Sequence, residues 1–276
     1  MNKKKRKLKW KNVIIILIVT ALIITLIISI LNIVKWKIDS NKTNEEITNI
    51  QEDIDVDEVE DTENTEIIKP VAEPPKENPY WDYINMNMIN VDFNDLKRTN
   101  PDVVGWVKVN GTNINYPFVQ ANDNKYYLTH SFNKSYNAAG WVFLDYRNNN
   151  TNNKNTIIYA HGRTDKTMFG TLRKVLNNGW INNTNNYVIK ISTEKENSLW
   201  QIFSIYHIPT TNDYLKTEFK DEREYQSFLN ILKNRSNHNF NTSITSNDTI
   251  LTLSTCYNDS EKMVVHAKLI KKQKKY

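Results

Sequence analysis

The hydrophobic positions of the chain fall into three regimes. From Val13 to Val34 the text VIIILIVTALIITLIISILNIV runs 22 residues without a charge. Wound as a helix rising 1.5 Å per residue it measures about 33 Å, enough to cross a hydrocarbon core of about 30 Å. Trp10 and Trp36 bracket it, as aromatic residues do at membrane interfaces. Between 38 and 79 apolar positions are sparse. Gln51-Glu-Asp-Ile-Asp-Val-Asp-Glu-Val-Glu-Asp61 carries too much like charge and too little apolar surface to fold alone. Val71-Ala-Glu-Pro-Pro-Lys-Glu-Asn-Pro79 reads as an extended spacer. The pattern predicts an acidic, Pro-containing disordered linker over 35–79.

From Tyr80 onward the text is that of a folded domain. Tyr80-Trp-Asp-Tyr-Ile-Asn-Met-Asn-Met-Ile and Asp92-Phe-Asn-Asp-Leu-Lys-Arg read as helices. After Pro101 the character changes to short runs rich in β-branched and aromatic residues, at 103–109, 114–119, 141–145, 156–160, 187–191, 200–206, 249–253 and 263–269. Asn/Asp/Gly clusters separate them. About eight such strands predict a closed β-barrel or a sandwich. Phe169 to Leu176 is a short helix candidate. Glu218 to Lys233 is a better one, because Tyr225, Phe228, Leu229 and Leu232 recur at helical spacing.

Charge changes the reading of the N-terminus. The net charge of +5 over 276 residues describes no part of the molecule. Residues 1–37 hold nine Lys/Arg and no acid, residues 38–79 hold 14 Asp/Glu against three Lys, and the remainder carries +7. The basic cluster is no sign of a nucleic-acid partner. It precedes the apolar run, so the positive-inside rule makes 1–12 a cytoplasmic tail, 13–34 a transmembrane signal anchor and 80–276 an extracellular domain. A cleaved signal peptide would have an apolar region of about 7–15 residues and a small-residue cleavage site, and this run is longer.

The single Cys excludes a disulfide within the chain and any Cys-rich metal site. Cys256 closes the strand Thr252-Leu-Ser-Thr-Cys256 and is followed by the polar turn Tyr257-Asn-Asp-Ser. A lone Cys is commonly just a small buried hydrophobe. A free thiol outside the membrane, however, faces oxidation with no structural return. A free thiol titrates at about pH 8.5, so it needs a neighbouring imidazolium or other cation to act as a nucleophile. Of the five His, His161 ends the strand Thr156-Ile-Ile-Tyr-Ala160 just as Cys256 ends its own, and Gly162 permits a tight turn after it. His130 and His238 lie in polar loops, while His207 and His266 sit within strands, where a structural role is the default.

Thr252-Leu-Ser-Thr-Cys256 resembles the Thr-Leu-x-Thr-Cys signature of sortases, the cysteine transpeptidases of Gram-positive cell surfaces. Asn155-Thr-Ile-Ile-Tyr-Ala-His161-Gly is similar to that family's histidine strand. Ala139-Gly-Trp-Val-Phe-Leu-Asp-Tyr-Arg147, Thr167-Met-Phe-Gly170, the helix at 218–233 and Val264-Val-His-Ala-Lys-Leu269 resemble class B in particular. The resemblance covers roughly residues 80–270. It implies a closed eight-stranded barrel with N-terminal helices and a helix inserted before the penultimate strand. It also implies Cys256 as nucleophile, His161 as acid and base, and no metal or cofactor. Partners would be secreted proteins bearing a C-terminal sorting signal, cleaved after Thr, and a peptidoglycan amine as acceptor. Ser254 and Thr255 would line the substrate groove. The family's catalytic Arg opens the last strand, and the matching residue here is Lys262. Lysine supplies a charge but no planar fork, so Arg163, two residues after His161, is a rival cation. Two other readings stay open: a papain-like extracellular Cys hydrolase, which needs its Cys at a helix N-terminus, and a non-catalytic surface-binding β-domain with a relic site.

Overall fold

The computed structural model describes residues 9–71, 73–148, 153–258 and 260–275. The chain forms two compact units, one up to Lys42 and one from Thr43 onward. The first is the N-terminal part of helix α1 (Trp10–Asp53). Its apolar side chains are exposed, and a window of 18 residues reaches a mean hydropathy of 3.3. By length and composition it is able to cross a membrane. Its few hydroxyls bond back to the helix: Thr20 Oγ1 donates to the Ile16 carbonyl at 2.8 Å and Ser29 Oγ to that of Thr25 at 2.9 Å. No hydroxyl among these is left for a lipid environment to satisfy.

The second unit takes in much of the expected linker. The last turns of α1 bury Ile47 and pack Ile50 against the core. Strand β1 (Val56–Val59) and strand β2 (Thr65–Ile67) follow. Short helix α2 (Tyr80–Tyr83) leads to β3 (Met88–Val91), and β3 pairs antiparallel with β1. Helix α3 is Asn94–Thr99. The helix read over Tyr80–Ile89 therefore stops after one turn. Met88 and Ile89 are both buried, and the partner strand that makes them extended lies about 30 residues upstream, where the sequence reads as tether.

The barrel is built from β4 (Val103–Val109), β5 (Asn115–Val119), β6 (Phe143–Leu144), β7 (Asn155–Tyr159), β8 (Val188–Ser192), β9 (Glu196–Pro209), β10 (Ile250–Cys256) and β11 (Glu261–Lys274). Going round, the order is β4-β5-β6-β7-β10-β11-β9-β8 and back to β4, an eight-stranded ring closed by the β10–β11 pairing. A short 3₁₀ segment at Gly170–Leu176 and helix α4 (Asn178–Ile181) link β7 to β8. Helix α5 (Glu222–Asn234) stands between β9 and β10. Asp221 caps α5, accepting from the Glu224 backbone N–H at 2.8 Å. It buries Tyr225, Phe228, Leu229 and Leu232, the four positions its periodicity picks out. Leu251 and Leu253 of β10 face the barrel interior, while Ile250 belongs with Val264 to a second cluster under α5. Period-two alternation therefore puts Thr252, Ser254 and Cys256 on the outer face, on the α5 side.

The disordered linker expected over 35–79 needs correction. Strand β2 pairs with β11 at Lys271–Gln273, extending the sheet where β10 has ended. The acids of the segment meet lysines far away in sequence. Lys271 Nζ, 1% exposed, lies 2.7 Å from Asp61 and also donates to the Met86 carbonyl at 2.8 Å. Lys190 reaches Glu58 at 3.1 Å and Lys272 reaches Glu66 at 3.3 Å. Like-charge repulsion judged within the segment misses these partners. Asp61 is half exposed, so water screens part of its loss. Asp61→Asn should cost about 1–2 kcal/mol of stability in urea unfolding, because it leaves a buried ammonium short of its counter-ion. Lys271→Met should cost less, since it removes the charge along with its need for a partner.

Candidate active site

The strand registers bring three separated residues into one row. β7 and β10 are parallel, with Asn155 opposite Ile250 and Tyr159 opposite Ser254. Carried two residues further, that register sets His161 level with Cys256. The chains stay together past the ladder, because the Ala160 N–H donates to the Ser254 carbonyl at 3.4 Å. A Cβ on Gly162 would collide with the Cys256 carbonyl oxygen, so glycine alone allows this approach. On the other side β11 runs antiparallel, with Lys262 directly opposite Cys256. His161, Cys256 and Lys262 thus share one rim of the barrel.

Cys256 is part-exposed and unbridged. Lys262 Nζ donates to its Sγ at 3.2 Å. The His161 Nε2–H donates to the Leu128 carbonyl at 2.8 Å. A carbonyl accepts only, so the proton of a neutral His161 sits on Nε2 and leaves Nδ1 as the basic nitrogen. The turn between Cys256 and Lys262 is tight: the Tyr257 N–H donates to the Glu261 carbonyl at 2.9 Å. The Tyr257 ring stacks on His207 at 4.7 Å, and His207 Nδ1 donates to Glu261 Oε1 at 2.9 Å. That bond to His207 holds the Glu261 carboxyl below its usual range.

The rival cation is otherwise engaged. Arg163 lies 2.7 Å from Asp165 and also donates to Thr167 Oγ1, and both charged side chains are about nine-tenths buried. Sequence reasoning missed a different guanidinium. Arg173 donates to the Gly162 carbonyl at 3.4 Å and lies 5.6 Å from the Tyr257 ring, touching the turns that follow both His161 and Cys256. Nothing in the 169–176 pattern marks it, because the contact depends on tertiary packing. Ser254 and Thr255 are buried. The Tyr214 and Ser254 hydroxyls share a hydrogen bond of 2.9 Å, and Thr255 Oγ1 has no partner among the described residues.

The other histidines are placed elsewhere. His266 is fully buried between the Tyr206 hydroxyl at 2.8 Å and Thr252 Oγ1 at 2.9 Å, and burial pushes its pKa down to about 3. It stays neutral, as a strand histidine. His238 bonds the Tyr187 hydroxyl. His130 lies between the Tyr126 and Tyr136 rings. A cysteine at a strand end, rather than at a helix N-terminus, removes the papain-like alternative.

A nucleophile, an imidazole and a cation in one row can perform acyl transfer. The Sortase domain family model matches residues 107–270, more than half of the chain. Sortase B of Staphylococcus aureus is 36% identical over 188 residues, which are 66% of this chain and 76% of that protein. The structure of sortase B from B. anthracis in complex with AAEK1 superposes with a TM-score of 0.66 at 31% identity, covering 85% of this chain and 99% of that one. A Staphylococcus aureus sortase B–substrate complex gives a TM-score of 0.60 at 36% identity over 65% of this chain and 84% of its own. The chain belongs to the sortase family, and its likeness to sortase B in both sequence and fold makes it a cysteine transpeptidase of that type.

Proposed function

We propose that Cys256, His161 and Lys262 carry out the transpeptidation, and that the substrate is a secreted protein with a C-terminal sorting signal. The Cys256 thiolate attacks the carbonyl carbon of a Thr in the signal. The tetrahedral oxyanion is held by the Lys262 ammonium and by backbone N–H groups. The C–N bond breaks, and His161 Nδ1–H gives its proton to the departing amine. A thioester remains on Cys256. An amine of the cell wall then attacks it, neutral His161 takes the amine's proton, and the thiolate leaves. Ser254 and Thr255, expected to line the substrate groove, are both buried in the strand that carries Cys256, and the Ser254 hydroxyl is bonded to that of Tyr214.

The observation that carries the reading is the row itself, with Lys262 Nζ 3.2 Å from the sulfur. The likeness to the Staphylococcus aureus sortase B–substrate complex supports a substrate of the sortase B kind. The apolar helix behind the basic tail supports a single-pass membrane anchor, tail inside and catalytic unit outside.

Two measurements test this. Protease shaving of intact cells should remove the bulk of the chain and leave a small basic membrane fragment. Protection of the bulk until lysis would refute the topology. Full-length protein in detergent, given peptides of the form x-Pro-x-Thr-Gly/Asn, should release the C-terminal fragment faster when a primary amine is added. Rates that ignore the amine across the series would contradict a transpeptidase.

A further inference from the structure

The mechanism above uses Nδ1 of His161, so whatever holds Nε2 decides which nitrogen is basic and where it points. The holder is the Leu128 carbonyl, a backbone atom in a loop with no regular strand. Several features fix this carbonyl. Gly140 sits at φ +61°, and a Cβ there would lie 2.9 Å from the Leu128 oxygen and collide with that of Tyr127. The Trp141 N–H donates to the Tyr127 carbonyl at 2.9 Å. His130 Nδ1 donates to the Tyr126 carbonyl at 2.8 Å, and its ring stacks on Tyr126 at 4.0 Å. The Asn137 N–H donates to the Thr129 carbonyl at 2.9 Å and closes the loop on itself.

The loop is also tied to α1. Glu46 Oε1 accepts from the Asn133 N–H at 2.8 Å, and Asn137 Nδ2 donates to Thr43 Oγ1 at 3.0 Å. Glu46 thus holds the Ser131–Ser135 hairpin tip itself and Thr43 the turn just after it, a few residues beyond Leu128. Both α1 residues belong to the folded unit that starts at Thr43.

We propose that the loop from Tyr126 to Trp141 is the positioning platform of His161, with Gly140 and Glu46 as its positioning residues. Gly140 allows the close packing that sets the Leu128 carbonyl, and Glu46 fastens the loop to α1. The inference rests on His161 being the acid and base of the proposed reaction. Neither residue belongs to the row of His161, Cys256 and Lys262. Their loss acts through the imidazole, as a small displacement or a change of tautomer, and a displacement of about 1 Å can cost roughly a hundredfold in rate.

The test uses full-length protein in detergent with ¹⁵N-labelled histidine, comparing wild type, Gly140→Ala, Glu46→Ala and His161→Ala. Imidazole nitrogen spectra are recorded where the ring is neutral, and kcat and KM are measured with a sorting-signal peptide. Wild type should show His161 as the Nε2–H tautomer alone. Gly140→Ala should lower kcat about 10- to 100-fold with KM within about twofold, and its His161 signals should become a tautomer mixture. Glu46→Ala should move both readouts the same way by a smaller amount, and it decides the matter if Gly140→Ala does not fold. Folded variants with wild-type kcat and an unchanged tautomer, beside an inactive His161→Ala, would overturn the platform and leave the catalytic reading standing. If His161→Ala itself turned over normally, the catalytic reading would fail, and the tautomer spectra would still test the platform.

Discussion

Cys256→Ala should abolish both thioester formation and transpeptidation, and His161→Ala should lose nearly as much, about 10⁴- to 10⁶-fold in kcat. The double variant should be no worse than either single one. Residues that act as a unit are not additive, because removing one already disables the other. The geometry gives the reason. The register of β7 against β10 makes His161 and Cys256 neighbours across a parallel pair, and the Gly162–Cys256 approach keeps the two strand ends together. Neither side chain holds up the core: Cys256 is part-exposed, and His161 bonds a loop carbonyl. Circular dichroism and the urea midpoint of both variants should therefore stay close to wild type. Near-normal turnover in His161→Ala, with loss in a His130 or His266 variant, would transfer the role to another histidine.

Lys262→Ala should cut turnover by roughly a hundred- to a thousandfold, about 2.7–4 kcal/mol, the scale for losing one donor to a developing oxyanion. KM should change far less, because the interaction is made mainly in the transition state. Lys262→Arg should retain or raise activity, since the guanidinium fork can hold two oxygens where the ammonium holds one. The five-residue turn before Lys262 is pinned by the Tyr257–Glu261 bond and limits where the longer side chain can reach, so the Ala variant is the cleaner test. Arg163→Ala is the matching control. Its guanidinium is committed to Asp165 and Thr167, so its effect on kcat should be small beside that of Lys262→Ala. A Lys262→Ala rate within about twofold of wild type, only about 0.4 kcal/mol, would remove Lys262 from the mechanism.

The parts of the molecule legible in its sequence are those set by local pattern. The eight strands of the barrel and the apolar stretch of α1 follow from the length and composition of their apolar runs, and the four buried positions of α5 from helical periodicity. So does the placing of Cys256 and His161 at strand ends, because each apolar run stops beside a polar turn. Pairing between distant strands leaves no such mark. The 38–79 segment looks unfoldable because its acids are weighed against one another, whereas in the fold they face Lys190, Lys271 and Lys272. Met88 and Ile89 read as helix until β1 is known to lie beside them. The support of His161 is a backbone carbonyl, which has no side-chain signature. Only Gly140, at positive φ, hints at the tight packing behind it. Arg173 reaches the site from a 3₁₀ segment whose direction is set by packing of Leu172 and Val175 into the core.

The central claim is that Cys256 becomes an acyl-enzyme at the Thr carbonyl of a sorting signal. The most direct measurement is the mass of the full-length protein mixed with an x-Pro-x-Thr-Gly/Asn peptide that it cleaves, in the absence of added amine and quenched in acid. The account predicts an adduct equal to the peptide fragment ending in Thr, located on Cys256 by peptide mapping, discharged by hydroxylamine and missing in Cys256→Ala. Peptide cleavage undiminished in Cys256→Ala, or an acyl group mapped to any other residue, would contradict it.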